Sequence, residues 1–545
     1  MEEKEEDEES RSASLITTPV HQVSPDQVPN AVGCMPKIRQ LLPDSIREEM
    51  RKIIALAGPA VVNITGVAVG AGLAGACDTL ISQIYGGRNL KLVGIILQRG
   101  ILILLLFCFP CWALFLNTEP ILLLFRQDPE VSRLTQIYVL IFIPALPASF
   151  LYQLQAKYLQ NQGIIFPQVL TGLIANIFNA LINYLFLYVL GLGIMGSAWA
   201  NTMSQYVQAI LLFFYIVWRK LYVDTWGGWS TACFDDWGSF TQLAIPSMLM
   251  LCIEWWTFEI GIILAGILGV VDLGAQSIVY QMANIVFMVP VGYSIATSVR
   301  IGHSLGAGDI VQAKKSMVVA LLMAEGCALT CCILLISLKD VIAYVYTTDP
   351  GIVELVSYVL PVYAGSHLFD GCVATCGGIL RGTGKQKIGA IFHAVGYYVI
   401  CLPVAVSLMF AAKIGIIGFW LGVLLCAFLQ CIGFLTFVFR IDWDKASQEA
   451  QARAKERQQM VLCTNSNPTI YKGASVTDAR EESKIGIFKD METVETPENI
   501  ENEQIQSERP HQKTLSKREL IVRRSLVLIA AIAVLMIGIL IRLCV

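Results

Sequence analysis

Three acids sit where acids are expensive. Glu254 and Glu259 lie within one long apolar run, residues 240–268, and Asp370 within another, residues 352–376. On insertion scales an acid at the centre of a membrane helix costs about 2.5–3.5 kcal/mol. A buried carboxyl lowers that cost by taking a proton or by pairing with a bound cation, and whichever binds displaces the other. The chemistry such a group can do is therefore exchange of one positive charge for another. Five residues apart, Glu254 and Glu259 point about 140° away from each other on an ideal helix. They do not read as sharing one ligand, so Glu254 or Asp370 is taken as primary and the other acids as supporting. The competing reading for each is structural, a carboxyl hydrogen-bonded to a neighbouring helix. Glu325, in the middle of the run 314–337, is the weakest candidate of the four. Trp255 and Trp256 follow Glu254 directly. An aromatic face over an amine contributes about 0.5–2 kcal/mol, and at adjacent positions at most one of the two rings faces a common cavity.

Something must hold these groups in lipid. Apolar residues make up 55 % of the 545-residue chain and charged residues only 15 %, with a mean hydropathy of +0.62. A soluble core does not hide that much apolar surface. Runs of about 20 residues, enough to cross the hydrocarbon, recur at roughly 53–82, 93–117, 134–156, 165–190 and 194–218. A polar, Trp-rich connector follows, then runs at 240–268, 273–299, 314–337, 352–376, 387–411 and 414–439. A net charge of −3 argues against a nucleic-acid partner. The cysteines show no metal-ligand spacing and read as small hydrophobes. No signal peptide opens the chain: Met1 to Ser10 is acidic, with no apolar core behind it.

The expected organisation is a polar N-terminal tail (1–52), a first lobe of about five spans (53–219), a connector (220–239) and a second lobe of six (240–440). A disordered linker (441–520) and a final membrane helix (521–545), entered past Arg523 and Arg524, complete it. Lys and Arg are concentrated in alternate loops, those holding Arg88 and Lys91, Lys157, Arg219 and Lys220, Arg300 with Lys314 and Lys315, and Arg381 with Lys385 and Lys387. These should be cytoplasmic.

The lobes are related by an internal repeat. Tyr85-Gly86-Gly87-Arg88-Asn89 matches Leu305-Gly306-Ala307-Gly308-Asp309, and Asp128-Pro129 matches Asp349-Pro350. Leu159 to Gly163 matches Leu380 to Gly384, and Gly193-Ile194-Met195-Gly196 matches Gly415-Ile416-Ile417-Gly418, all about 220 positions apart. Helix order and loop signs agree, so the repeat is parallel, an arrangement in which transporters hold substrate between the halves. One pair breaks the offset: Leu56-Ala57-Gly58-Pro59 aligns with Leu243-Ala244-Ile245-Pro246 at roughly 187. The first half is short by about 33 residues, close to one helix and its hairpin. An internally deleted isoform and an ancestral asymmetry both fit; clean agreement on either side favours the deletion. The segment Val61 to Leu80, rich in Gly and Ala with Asn63, Thr65 and Asp78, is then a weak span, re-entrant or badly tilted, that needs neighbouring helices to cover it.

The run Ile245 to Trp256, Leu273-Gly274-Ala275-Gln276-Ser277-Ile278-Val279-Tyr280, Ser366-His367-Leu368-Phe369-Asp370 and Gly378 to Gly384 resemble the multidrug and toxin extrusion (MATE) family in its vertebrate branch. In the first half, Cys77 to Gln83 and Phe109-Pro110-Cys111-Trp112 agree. The resemblance covers roughly residues 40–440 and the last span. It implies an all-α polytopic membrane protein with the two-lobed MATE fold, the first lobe here about one helix short, plus a C-terminal extra helix. It also implies exchange of protons for organic cations and drugs at plasma membranes of excretory epithelia, with the proton as coupling ion and no other cofactor. Acids at Glu254, Glu259 and Asp370 belong to the family's cation and proton site. Tyr280, His367 and, in the first lobe, Asn63 are candidates by the same resemblance. Two departures stand out: Gln281 follows Val279-Tyr280 where the family usually has Glu, and Asp370 stands where Glu is frequent. Glutamine cannot release a proton, so one member of the acidic cluster is absent.

The expected function is an antiporter; the alternative is a transport-impaired truncated isoform acting as a non-functional or regulatory membrane protein. A lipid flippase should line its cavity with Lys and Arg, which these spans almost lack, and no nucleophile–base or metal set suggests an enzyme. The Gly-rich segment Gly302 to Gly308 reads as a tight interhelical turn rather than a phosphate loop. The sequon Asn63-Ile64-Thr65 falls within a membrane segment and is discounted.

Overall fold

The computed structural model describes residues 66–124, 129–465 and 517–544, and the side chains of the post-lobe helix as far as residue 454. Asn63, the tail and the segment around Pro59 lie outside the described residues, as does the linker from 466 to 516. The fold is all-α among the described residues. The first lobe holds α1 (Gly66–Gly86), α2 (Leu90–Leu116), a short α3 (Thr118–Leu124), α4 (Pro129–Phe142), α5 (Ala145–Gln160), α6 (Phe166–Val189) and α7 (Gly193–Trp218). The second holds α8 (Trp237–Leu268), α9 (Val270–Ala307), α10 (Ile310–Leu338), α11 (Pro350–Thr383), α12 (Gln386–Ala411) and α13 (Ile416–Phe439). Two further helices follow, α14 (Trp443–Asn465) and α15 (Lys517–Cys544).

Ten of these are long and apolar enough to cross a membrane, eleven if α4 and α5 form one span bent by 58°. The expected span 134–156 is thus broken; Pro144, between α4 and α5, has no N–H to continue the helix. The helix α7 falls outside the ten. Its middle carries Asn201, Thr202, Ser204, Gln205 and Gln208, and Asn201 and Thr202 are spent on bonds to Tyr138 and to the carbonyl of Ile141.

The repeated motifs turn out to be helix punctuation. Asp309 caps α10 by accepting from the Gln312 N–H at 2.9 Å, and Asp349 caps α11 by accepting from Gly351 at 2.9 Å, with Pro350 at the first helical position. Such caps satisfy N–H groups that the helix itself cannot. Gly308 and Gly384, at φ of +82° and +80°, end α9 and α11 in the left-handed region, where a side chain is disfavoured. In the first lobe Gly163, the counterpart of Gly384, is also left-handed at φ +78°, whereas Asn89, the counterpart of Asp309, makes no side-chain cap bond.

Three expectations are corrected. The segment Gly302 to Ala307 is not an interhelical loop but the last turns of α9, and only Gly308 turns the chain. Lys157, Arg300 and Arg381 likewise stand in α5, α9 and α11 rather than in loops, because these helices run on past their apolar runs. The expected disordered linker begins with an ordered helix: α14 buries Trp443, Ala446 and Ala450 against the second lobe. Its apolar residues are small and widely spaced among Lys, Glu, Gln and Arg, which hid the period. The C-terminal run is also longer than its apolar core, 28 residues.

The weak first span is covered as its composition requires. The window of α1 is 83 % buried, much of it by the second lobe. Gly302 and Gly306 of α9 let the backbone approach so closely that an added Cβ would collide with Ser82 and with the Gln83 carbonyl. Small residues at such contacts give helices their van der Waals attraction where lipid offers no hydrophobic drive.

Candidate substrate and proton site

Glu254 and Glu259 project from α8 and Asp370 from α11. Glu259 is 4 % exposed, whereas Glu254 and Asp370 are half-buried. Glu254 and Asp370 lie close enough for their charges to act on each other, which brings two of the three sequence-predicted acids to one site. Glu259, on the other side of α8, is joined to it through Tyr280: the Tyr280 hydroxyl donates to Glu259 Oε1 at 3.5 Å and also lies within electrostatic reach of Glu254. Among the described residues none of the three acids forms an ion pair within 4 Å. Arg381 acts on Glu254 through its charge, at longer range.

An aromatic frame surrounds the acids. Phe258, one residue before Glu259, stacks on Tyr280 with ring centroids 5.9 Å apart and contacts Trp420 and Tyr397 at 6.1 and 6.4 Å. Tyr363 meets Trp420 at 5.2 Å and His367 at 5.9 Å, and its hydroxyl lies 3.5 Å from His367 Nδ1. The charges of Glu254 and Asp370 both act on Tyr397. Trp420, fully buried, is fixed by its indole N–H donating to Gln276 Oε1 at 2.8 Å. Edge and face contacts of this kind favour one arrangement of the rings.

Not every expected residue joins. Trp255 is half-buried and Trp256 is 37 % exposed, and the rings framing the acids are others. Gln281 is exposed on the turn after Tyr280. His367 is fully buried, and its Nε2 has no hydrogen-bond partner among the described residues. Tyr363, Tyr397 and Trp420 were not singled out by sequence reasoning. Each lies in an apolar run, and spacing along one helix gives no sign of which rings from α11, α12 and α13 converge.

Below the acids, toward the basic end of the helices, lies a buried charge cluster that spans both lobes. Lys157 Nζ lies 2.9 Å from Asp78 Oδ2, and Arg381 Nε 3.9 Å from the same oxygen. Asn161 donates to Asp78 Oδ1 at 3.4 Å. Arg381 also donates to Ser294 Oγ at 2.7 Å. The Thr79 hydroxyl donates to the Arg381 carbonyl and accepts from the Gln386 amide. Asp78 stood out in the sequence as a polar residue of the weak first span and within a family motif, and its partners as loop charges and repeat-motif residues; nothing along the chain joined them.

The MatE family profile matches residues 55–185 and 246–407, the first match shorter by about 31 residues. Among curated proteins, "Multidrug and toxin extrusion protein 1" of Xenopus tropicalis is 58 % identical, with 96 % of each chain covered. The human protein of the same name is 50 % identical over 91 % of this chain and 94 % of its own. "Multidrug and toxin extrusion protein 2" of Mus musculus is 51 % identical over 88 % and 84 %. In the Xenopus match, 96 % of 545 residues fills about 523 of 555 aligned positions, so about 32 have no counterpart in this chain. Among solved structures, that of the eukaryotic MATE transporter AtDTX14 superposes with a TM-score of 0.70 at 26 % identity, covering 75 % of this chain and 95 % of that one. A Vibrio cholerae MATE transporter shares the fold at a TM-score of 0.61 and 16 % identity.

Proposed function

From the premise that this chain belongs to the MATE family of multidrug and toxin extrusion transporters, we propose that it exports organic cations in exchange for protons at the plasma membrane, in the manner of an apical carrier of epithelia. The observation that carries this reading is the gathering of Glu254, Asp370 and Glu259 inside the spans, framed by Tyr280, Phe258, Tyr397 and Trp420 and without an ion-pair partner among the described residues. An acid in lipid without a fixed counter-charge takes its positive charge from a ligand. A protonated amine fits both halves of the site, its charge on the carboxyls and its apolar body on the rings.

In this scheme Glu254 and Asp370 hold the cation, and Tyr280 carries the effect of its binding to Glu259. Protons arriving from outside neutralise the acids and release the cation. The two lobes then rock so that the site opens to the other side, loses its protons and reloads. The basic ends of the helices, with Arg88, Lys157, Arg300 and Arg381, face the cytoplasm in this orientation.

Uptake of a labelled organic cation into vesicles with an acid interior tests the scheme. Uptake should rise with the outward proton gradient and collapse when a protonophore removes it. Transport indifferent to the gradient rejects proton coupling. The reading as a transport-impaired isoform is set aside, since α1 is packed against both lobes despite the shortened repeat; a chain that reaches the membrane folded yet moves no cation would restore it.

A further inference from the structure

The helix α14 begins on one lobe and reaches the other at Arg453 and Ala454. Its first turns belong to the second lobe, where Trp443, Ala446 and Ala450 are buried in a cluster with Ile301, Leu305 and Phe434. Glu449 then pairs with Lys385, at the head of α12, at 3.0 Å. One turn further, Arg453 donates from Nη1 to Gln83 Oε1 on α1 at 2.8 Å, with Nη2 3.5 Å from Glu449. Ala454 is buried in the first-lobe core, and its carbonyl accepts from the Asn89 amide at 3.5 Å. Gln83 is itself fully buried and donates to the Gly382 carbonyl of the second lobe at 2.9 Å. Lys385, Glu449, Arg453 and Gln83 thus form a chain of polar contacts that crosses the seam between the lobes at their basic ends.

We propose that α14 is a strap that holds the lobes together on the basic side, with Arg453 as the residue that latches it to the first lobe. The proposal rests on the rocking-lobe reading above. If the lobes part on that side to load, whatever bridges them there must let go. The two attachments differ in kind, and the difference fixes which one yields. The hold on the second lobe is apolar, buried and continuous with α13 through residues 440–442, so it moves with that lobe. The hold on the first lobe is the Arg453 bond to Gln83, braced from within α14 by Glu449, together with the single small side chain of Ala454; Arg453 and Glu449 are 24 % and 33 % exposed. Partly exposed charge pairs are individually weak. A strap anchored firmly at one end and weakly at the other can open and reclose.

Two experiments on the full chain in proteoliposomes test this. The Cβ atom of Ala454 lies 3.2 Å from the position of a Cβ on Gly87, within a few tenths of an ångström of disulfide range. In the double variant Gly87→Cys/Ala454→Cys, oxidation should lower proton-driven cation exchange at least tenfold. Reductant should restore it, and neither single variant should respond. A cross-link confirmed by peptide mapping that leaves exchange undiminished overturns the proposal. The second experiment needs no proton gradient. Ser82 is fully buried at the seam, so the variant Ser82→Cys places a thiol there. Labelling of that thiol by a membrane-impermeant maleimide from the basic side reads how often that side opens. Adding Arg453→Ala should raise the labelling rate threefold or more; an unchanged rate overturns the strap. A parent chain that shows no proton-driven exchange counts against the proposed function, whereas the labelling result reads the strap alone.

Discussion

Arg381 of the second lobe places Nε 3.9 Å from Oδ2 of Asp78 in the first, and the same guanidinium is close enough to Glu254 for their charges to interact. One side chain therefore stands between the acids of the candidate site and the contact that joins the lobes. On parting, Lys157 stays with Asp78 in the first lobe, while Arg381 keeps its bond to Ser294 and only the longer-range charge of Glu254 in the second. The lobes can part without leaving a buried charge wholly unpaired, an outcome that otherwise costs several kcal/mol.

Removing Asp78 breaks that balance. Asp78 is 1 % exposed and Lys157 13 %, so Asp78→Asn leaves an ammonium and a guanidinium facing each other in a dry site. The expected loss is about 3–5 kcal/mol of stability, read as a marked fall in Tm in detergent. The double variant Asp78→Asn/Lys157→Met should recover part of it, because it deletes the orphaned charge. A single variant as stable as the parent would show the cluster to be solvated.

The acids should separate by role. Glu254→Gln combined with Asp370→Asn is expected to abolish pH-driven exchange, while a thermal melt stays near the parent, since neither carboxyl holds an ion pair. Glu259→Gln should keep exchange but weaken it severalfold, because Glu259 reaches the site only through Tyr280. Tyr280→Phe should reproduce the Glu259→Gln defect, and combining the two should add little. Additive defects would mean that the hydroxyl and the carboxyl act separately.

The architecture was legible in the sequence where one chain property decides it. The presence of most spans, the parallel repeat and the short first half follow from hydropathy and from paired motifs, whose second-lobe copies proved to be the capping residues Gly308, Asp309, Asp349, Pro350 and Gly384; where each helix ends did not follow, because the helices run on past their apolar runs. The acids were legible because a carboxyl in an apolar run is conspicuous. What converges in space was not. Trp255 and Trp256 drew attention by adjacency to Glu254, yet the frame is built by Tyr363, Tyr397 and Trp420 from helices far apart in sequence. The strap was missed because Ala446, Ala450 and Ala454 bury little area each, and a helix held by alanines between charges reads as polar chain.

Trp420 should matter for affinity beyond its size. Its indole bond to Gln276 at 2.8 Å holds the ring that Phe258 and Tyr363 lean on. Trp420→Phe leaves the buried Gln276 carbonyl without its donor, at about 1–3 kcal/mol. The expected result is a lower Tm and a raised KM for aromatic cations. Recovery of both in Trp420→Phe/Gln276→Leu would assign the effect to the lost bond, and failure to recover would assign it to ring volume.

The C-terminal helix is docked on the first lobe by packing rather than by charge. A Cβ added at Gly538 would lie 2.8 Å from the Ala113 Cβ, and the Gly538 carbonyl accepts from the Asn117 amide at 2.8 Å. Gly538→Leu should therefore lift α15 off α2, with a cost of about 1–3 kcal/mol from overpacking. By contrast, Arg542 pairs with Glu119 at 3.1 Å where both are partly exposed, and Arg542→Gln should change stability by no more than about 1 kcal/mol. The two melts, compared side by side, check the ranking; a larger effect from Arg542 would reverse it.

The connector offers a stability effect with a definite sign in pH. Asp235 lies outside the spans, and burial raises its pKa above the usual 3.8, with Arg99 and Arg524 pulling it back and Asp236 adding to the rise. A raised folded-state value means that the native protein binds the proton more tightly than the unfolded chain. Stability is then lost as pH climbs from the ordinary carboxyl value through the folded one, and the penalty persists at neutral pH. Asp235→Asn keeps the shape and removes the ionisation. Its Tm should exceed the parent's at pH 7 and converge with it below the ordinary carboxyl value. A variant less stable than the parent at pH 7 would mean that the attraction of Arg99 and Arg524 outweighs the burial of the charge.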